Sequence, residues 1–246
     1  MQPELAAIHA HQLQPELSSG EAGCPINLRT KKGHIVCLLG MNTQLLDIYL
    51  RTLAGVHAIS AGTLELYGQN VATIPELEWP LLRQKISYIS KATPLLSVAS
   101  GFNNLIMPSQ YHNKDEKPAL IKKAQQLLMD IDFQGNSEAL PAYLSPLERV
   151  QLSIIRAVML DPEVLILDDP WYALDPFEYS ILNQFFVTWA KAGTLITATS
   201  NVSFVRKHAQ QIYFVGKTEV HFFSSWYEFC ASTHSEVKEY LALFHE

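Results

Sequence analysis

The fold is decided by residues 35–55, which read IVCLLGMNTQLLDIYLRTLAG. Ile35–Leu39 is a short apolar run that ends at Gly40, a pattern typical of a buried strand. Leu45–Ala54 then repeats apolar residues at helical spacing and stops at Gly55, which suits a helix C-terminus. A strand, a glycine-containing loop and a helix in this order form a phosphate-binding arrangement in many α/β proteins.

The rest of the chain continues this alternation of short apolar runs and helical segments. Continuous apolar strands between helices indicate a parallel sheet that is covered on both faces, and therefore an α/β fold. We predict strands at Thr63–Leu66, Ile86–Ser90, Val164–Leu167, Thr194–Thr199, Ile212–Val215 and Glu219–Phe223, and helices at Lys117–Asp130, Leu147–Leu160, Phe177–Ala190 and Ser203–Ala209.

Composition restricts the class of protein. The 246 residues are 48% hydrophobic and only 17% charged, so the chain can bury a full core and is not disordered. A net charge of −6 argues against broad nucleic-acid binding and against a polybasic membrane anchor. Cys24, Cys37 and Cys230 form no CxxC pair, which argues against a disulfide framework or a zinc site and favours a reducing compartment.

The sequence predicts neither a membrane span nor a secretory signal. Ala92–Tyr111 carries no charge, but Pro94, Gly101 and Pro108 interrupt it, and a span needs about 20 continuous apolar residues. The first ten residues, MQPELAAIHA, lack a basic region followed by an apolar run. We therefore expect a cytoplasmic chain without direct membrane insertion, which docks on a membrane protein.

Five motifs follow one another in the order and at the spacing of a known family. Together they resemble the ATP-binding subunits of ABC transporters, and the resemblance extends from about residue 26 onward. The motifs are LLGMNTQLLDIYLRTLAG (Leu38–Gly55) for Walker A, ISYISKATPLLSVASGFNNL (Ile86–Leu105) for the Q-loop, LSPLERVQLSIIRAVMLDPEVLILDDP (Leu144–Pro170) for the signature and Walker B, ALDP (Ala173–Pro176) for the D-loop and TATSN (Thr197–Asn201) for the H-loop.

The resemblance implies an ABC-type P-loop NTPase fold in a single domain over residues 1–246. Its RecA-like parallel sheet core would span about residues 1–90 and 161–246, with a small antiparallel β part near the N-terminus. Its helical signature subdomain would span about residues 92–160, where our own interpretation also places mostly helical structure.

The phosphate loop of the family is degenerate in this chain. A working loop needs glycines, so that backbone N–H groups face the phosphates, and then a lysine and a serine or threonine. Gly40 and Asn42 remain, whereas Leu46 and Asp47 align with the lysine and the serine. Two unit charges about 4 Å apart interact by about 4 kcal/mol at an effective dielectric constant of about 20, so both changes should weaken ATP binding. Gly40 also fits a strand-end turn, and Leu46 also fits an ordinary core leucine.

The other catalytic positions of the family have changed as well. The Q-loop glutamine aligns with Lys91, the catalytic glutamate with Asp169 and the H-loop histidine with Ser200. Asp168 and the D-loop Asp175 retain family identity, and Asp168 is interpreted as a relic of the magnesium site.

The ABC signature is altered too. The segment that aligns with it is Ser145-Pro146-Leu147-Glu148, in which Pro146 and Leu147 replace the two glycines of the family. Pro146 has no backbone N–H, and Leu147 restricts the backbone more than a glycine does. Ser145 and Glu148 equally fit a helix capping box. Since each ATP of the family lies between the Walker motifs of one subunit and the signature of the other, a dimer would be impaired at both sites.

The family's magnesium ion is approached by positions that hold Asp47, Lys91 and Asp168 in this chain. Two facing carboxylates in a half-buried pocket repel each other, and each raises the other's pKa. We therefore predict that the Lys91 ammonium lies between Asp47 and Asp168 and stands in for the metal. A solvent-facing Lys91 is the alternative.

The tail Ser224–Phe244 resembles the helical C-terminal end of Mla/Mce-type lipid-transport ATPases. The alternative is a plain amphipathic helix that packs on the core, and Trp226, Tyr227 and Phe229 could also cover a dimer contact.

The sequence therefore predicts a catalytically impaired ABC subunit, a pseudo-ATPase that binds neither ATP nor Mg²⁺ tightly. It would form a dimer and dock on a transmembrane permease or a second ABC ATPase subunit, at the cytoplasmic face of the inner membrane, without binding nucleic acid. The first alternative is a divergent but working ATPase that uses ATP and Mg²⁺ through Asp168 and Asp169. A soluble regulator without a membrane partner is the second.

Overall fold

The structure, a computed structural model, describes residues 6–17, 20–92, 95–112, 116–172 and 174–244. The strands are β1 Ile8–Pro15, β2 Ile26–Arg29, β3 Ile35–Leu39, β4 Ile59–Leu66, β5 Gln69–Asn70, β6 Ile86–Ile89, β7 Val164–Asp168, β8 Thr194–Ala198, β9 Gln211–Val215 and β10 Val220–Phe223. The helices are α1 Thr43–Leu53, α2 Trp79–Lys85, α3 Gly101–Tyr111, α4 Lys117–Asp130, α5 Pro146–Val158, α6 Pro176–Ala190, α7 Val202–His208, α8 Trp226–Cys230 and α9 Ser235–Ala242.

A six-stranded sheet forms the centre of the protein, in the order β10-β9-β3-β8-β7-β6. The five strands from β9 to β6 are parallel, and β10 pairs antiparallel with β9 at one edge. Every residue of β3, β7 and β8 is buried, as the continuous apolar runs predict for strands covered on both faces.

Alternate residues of β3 face two different cores, because side chains alternate across a strand. Val36 and Leu38 pack with α1 and the N-terminal strands. Cys37 and Leu39 pack with apolar side chains of α5, α6 and the C-terminal helices on the other face of the sheet.

A second sheet, antiparallel and in the order β2-β1-β4-β5, covers the first of these cores. Helix α1 lies between the two sheets, where its buried Tyr49, Leu50 and Leu53 join the side chains of Ile8 and Leu64. Gly55, with φ +70°, follows the helix, as predicted from the glycine that ends the apolar repeat. The antiparallel β part that the resemblance implies near the N-terminus is therefore present, and it includes the strands β1 and β2, which our sequence analysis does not predict.

Helices α3, α4 and α5 pack against one another through Leu105, Leu120 and Leu152, all nearly inaccessible to solvent. This agrees with the mostly helical interpretation of residues 92–160, while the division of the chain into a core and a signature subdomain stays a prediction. Across the described ranges, from residue 6 to residue 244 with their gaps, no helix is at once long enough and apolar enough to cross a bilayer.

Gly62 is a sensitive position of the N-terminal sheet. It lies in β4 opposite the bulge of β1 near Gln12 and has φ +79°, and a Cβ there would collide with the Gln12 carbonyl oxygen. We expect Gly62→Ala to lower the free energy of unfolding by about 3 kcal/mol, because left-handed strain alone costs about 1–2 kcal/mol and the collision adds to it. Urea denaturation measures the change.

Gly20→Ala is the matched control for that substitution. Gly20 has nearly the same φ, +78°, but a Cβ there would have no atom within 4 Å. We expect a loss of about 1 kcal/mol from backbone strain alone. Equal losses in both variants would show that the close approach to β1 does not matter.

Candidate functional site

The candidate site lies at the carboxyl ends of the parallel strands, where open α/β sheets bind their ligands. Gly40 follows β3, Lys91 follows β6, Asp168 ends β7 and Ser200 follows β8. These predicted residues meet around one cavity of about 90 Å³. Within the described part of the chain, the cavity is lined by Gly40, Thr43, Leu46, Lys91, Asp168, Asp169, Ala198, Thr199, Ser200, Tyr240 and Phe244.

The loop between β3 and α1 uses its own backbone N–H groups. Asn42 is the N-cap of α1, and its side-chain Oδ1 accepts hydrogen bonds from the N–H groups of Gln44 and Leu45, both at 3.1 Å. The N–H of Leu46 donates to the Asn42 carbonyl at 3.1 Å. A phosphate-binding loop offers such N–H groups to its ligand, whereas here these three are paired within the chain.

Gly40 and Leu46 have structural roles at this loop. Leu46 is 4% exposed and belongs to the core between the two sheets, as an ordinary core leucine would. Gly40 is needed for close approach, since a Cβ there would lie 2.7 Å from the carbonyl oxygen of Val215 at the end of β9.

Asp47 is held by two neighbours. The Tyr88 hydroxyl donates to its Oδ1 at 2.7 Å, and Arg51 Nε lies 3.1 Å from its Oδ2. The Arg51 contact is an ion pair without hydrogen-bond geometry. Burial raises the pKa of Tyr88, and its hydrogen bond to Asp47 raises it further, so the phenol keeps its proton and continues to donate.

Asp168 and Asp169 are two adjacent buried carboxylates. Burial raises the pKa of each above its usual range, and at Asp168 the nearby Asp47 carboxylate adds to the rise. The Asp169 carboxylate accepts from the hydroxyl groups of Ser200 at 3.1 Å and Thr199 at 3.4 Å. Its backbone has φ +42°, an uncommon conformation for an aspartate, and its N–H donates to Ala198 across the sheet.

Lys91 reaches the carboxylates but pairs with a different one than predicted. Its Nζ lies 3.8 Å from Asp169 Oδ2 and 4.0 Å from the centre of the Tyr172 ring. Among the described residues, the ion pairs shorter than 4.0 Å join it to neither Asp47 nor Asp168, so the predicted bridge between those two is wrong. Asp47 is already held by its own partners, and Asp168 instead accepts a hydrogen bond from the Lys91 backbone N–H.

Tyr240 and Phe244, from α9 and the segment after it, close the cavity on a side that sequence reasoning missed. Tyr240 is only 5% exposed, and its ring centre lies 5.5 Å from that of Phe214 and 5.1 Å from that of Phe244. Burial raises its pKa, and so does the nearby Asp169 charge. The helical spacing of Val237, Tyr240 and Leu241 could predict a buried face, but not which surface it covers.

The tail therefore packs on the core, as the amphipathic-helix alternative states. Phe229 is fully buried within the chain, and Trp226 is partly buried against the core, whereas Tyr227 is 83% exposed. A dimer contact through the tail stays a prediction.

None of the described residues of the signature or D-loop motif lines the cavity, and Ser145 and Asp175 are helix N-caps. Ser145 and Glu148 form the capping box of α5, with Pro146 in its first turn and Leu147 partly buried against the core. Asp175 is the N-cap of α6 and forms a second capping box, with Glu178. Ala173, at the start of the predicted D-loop, lies outside the described residues.

Comparison with known proteins identifies the family. The ABC transporter family model matches residues 24–172, more than half of the chain, and the chain therefore belongs to the ABC transporter family. The arginine/ornithine transport ATP-binding protein AotP of Pseudomonas aeruginosa is 24% identical over 221 residues, which are 85% of this chain and 87% of AotP.

Solved structures confirm the predicted fold. The cbiO1 protein of Clostridium perfringens, part of the ABC transporter complex cbiONQ, matches with a TM-score of 0.80 at 21% identity, over 98% of this chain and 96% of cbiO1. The dimeric bacterial ABC transporter cassette MJ0796 matches with a TM-score of 0.80 at 18% identity, over 88% of this chain and 98% of that chain. Assignment to the Mla/Mce branch stays a prediction.

The buried carboxylates predict a pH-dependent effect of Asp168→Asn. A carboxyl group with a higher pKa in the folded than in the unfolded state lowers stability as it ionises, between the unfolded pKa of about 3.9 and the higher folded value. We expect the variant to have a higher free energy of unfolding than the wild type at neutral pH, and the difference to vanish below about pH 4. Urea denaturation over a pH series measures it.

Asp130→Asn, at an exposed position of α4, is the control and should change stability by less than about 0.5 kcal/mol. A wild type that is more stable than Asp168→Asn at neutral pH would contradict the assigned role of burial.

Proposed function

We propose that this member of the ABC transporter family is a pseudo-ATPase, which keeps the fold of an ATP-binding subunit but has closed its nucleotide site from within. It would serve as a structural or regulatory subunit of a membrane-transport complex. One observation carries this proposal: the N–H groups at the start of α1, where the family binds phosphate, are hydrogen-bonded to Asn42.

The space at the site supports the same conclusion. Pockets for small-molecule ligands have volumes of roughly 300–1,000 Å³, and this cavity has about 90 Å³ because Tyr240 and Phe244 fill one side of it. The buried Leu46 offers no charge to a phosphate. The small volume and the missing charge both support a site that does not take ATP, and we assign no hydrolytic step to it.

The charges at the site argue against a magnesium ion as well. Mg²⁺ binds carboxylates and water in an octahedron of oxygen atoms. Here the Lys91 ammonium already compensates Asp169, and Ser200 and Thr199 hydroxyl groups donate to the same carboxylate. A cation would have to displace the ammonium before it could bind both carboxylates.

The alternative is a divergent but working ATPase, and the preserved pair Asp168 and Asp169 is the observation in its favour. Asp168 is the last residue of β7 and aligns with the family's metal-binding aspartate. Opening of the tail and rotation of Lys91 away from Asp169 would both be needed to expose the pair.

Partners follow from the family. ABC ATP-binding domains pair with transmembrane permeases and dimerise, and MJ0796 is a dimeric cassette. We infer that this chain likewise docks on a permease or on a second ATPase subunit, at the cytoplasmic face of the membrane. The uncharged stretch before α3 supports a membrane-protein partner, since its Val98 is 90% exposed and Leu96 is 47% exposed.

We expect purified protein to show no binding of ATP with Mg²⁺ at millimolar concentration and no hydrolysis. A triphosphate requires free loop N–H groups, a lysine charge and sufficient space. Here the N–H groups are paired with Asn42, a leucine replaces the lysine, and the cavity is small. Isothermal titration calorimetry measures the binding, and release of inorganic phosphate measures the hydrolysis.

Two variants make this result decisive. Asp168→Asn separates contaminating activity from activity of this chain, and turnover in the wild type that this substitution abolishes would support the divergent ATPase. Leu46→Lys should fail to restore binding and should lower the free energy of unfolding by about 2–5 kcal/mol, whereas the volume-conserving Leu46→Met should cost less than about 1.5 kcal/mol.

Docking on a permease predicts an effect of Val98→Asp in the native host. The substitution puts a charge on the exposed apolar stretch, and we expect it to shift the chain from the membrane fraction to the soluble fraction. Met129→Asp is the matched control, because Met129 is 67% exposed on α4 and should not affect retention. Retention of both variants, or a wild type that is soluble, would contradict membrane docking through this stretch.

A further inference from the structure

A cluster of two histidines and a glutamate lies away from the cavity, beside the turn between β9 and β10. Glu219 ends this turn, His221 is in β10, and His234 immediately precedes α9. One ligand atom from each of the three side chains lies within 4.8 Å of the other two. The His221 and His234 ring centres are 3.8 Å apart, and His221 Nε2 is 3.5 Å from Glu219 Oε1.

This donor set is specific in its chemistry. Two imidazole nitrogens and one carboxylate oxygen form the three protein ligands of many zinc sites, in which water occupies the fourth position. Mg²⁺ and Ca²⁺ prefer oxygen ligands, so the two imidazoles favour a borderline transition metal over them. Cysteine is not involved, which is why the spacing of the three cysteines does not predict this site.

The surrounding backbone holds the three ligands in place. The Gly216 N–H donates to the Glu219 carbonyl at 3.0 Å and closes the turn. The Glu236 carboxylate, in the first turn of α9, accepts from the Lys217 N–H at 3.0 Å and joins α9 to the same turn. The His221 side chain is only 11% exposed, so its ring is fixed, while Glu219 is open to solvent. Glu219 and His234 are both exposed to solvent, so their side chains can adjust to an ion.

We propose that Glu219, His221 and His234 bind a divalent transition metal ion of the zinc class. Because His234 immediately precedes α9 and the other two ligands belong to the β9–β10 hairpin, the ion holds the helix to the sheet. Tyr240 lies on that helix and closes the cavity. The ion therefore stabilises the closed form of the tail without touching the cavity itself.

Titration of the metal-free full-length chain with Zn²⁺ tests the site. We expect one saturable site by calorimetry, a rise in the thermal unfolding temperature on addition of Zn²⁺, and a visible absorption spectrum of four-coordinate Co²⁺ when Co²⁺ is used instead. His234→Ala and His221→Gln should each weaken Zn²⁺ binding at least about tenfold, since changes outside the ligand set alone cost about 10–100-fold in other proteins.

His9→Ala is the matched control, because His9 also lies beside a glutamate, 3.3 Å from Glu65, but among the described residues it belongs to no cluster of three possible metal ligands. It should leave both Zn²⁺ affinity and the thermal shift unchanged. His234 makes no capping hydrogen bond with its side chain, so His234→Ala removes no cap from α9. Equal Zn²⁺ affinity in wild type and His234→Ala, or equal losses in His9→Ala and His234→Ala, would overturn the proposal, and neither result bears on ATP binding.

Discussion

Asp168 and Asp169 are two adjacent buried carboxylates at the carboxyl end of β7 in the central sheet. The arrangement of the site around them follows from the need to compensate their negative charges. Removing an ion from water costs several kcal/mol unless charge or hydrogen bonds replace the solvent. The Lys91 ammonium and the hydroxyl groups of Thr199 and Ser200 provide this for Asp169, and the Lys91 backbone N–H does so for Asp168. Serine at position 200 thus has a definite role, as a hydrogen-bond donor to the neighbouring carboxylate.

The local pattern of apolar and polar residues predicts the elements in which this pattern is regular, and it misses those in which the pattern is interrupted. The strand Ile35–Leu39 and the helix Lys117–Asp130 have the predicted bounds because an uninterrupted apolar run and a regular amphipathic repeat specify them. Strand β1 was missed because a bulge near Gln12 shifts its alternation by one residue, so that Leu13 rather than Gln12 points into the core.

The candidate site divides in the same way. Motif order predicts that residues 40, 42, 46, 47, 91, 168, 169 and 200 belong to one site, because each lies at the end of a parallel strand or in the loop or helix that follows it. Of these, residues 40, 46, 91, 168, 169 and 200 line the cavity, whereas Asn42 and Asp47 are not among its described lining residues. The partner of Lys91 could not be predicted, since the choice between Asp169 and Asp47 depends on Tyr88 and Arg51. Tyr240 could not be predicted either, because nothing in its local sequence specifies the surface that α9 covers.

The position of Tyr240 in the chain imposes an order on how the site is completed during synthesis. A ribosome releases a chain from its N-terminus, and the other residues that wall the cavity, apart from Phe244, precede Tyr240 by about 40 residues or more. For that interval the nascent chain holds the loop after β3 and the two carboxylates of β7 without the aromatic side chains that later close them. During synthesis the carboxylates are therefore made before the aromatic side chains that cover them.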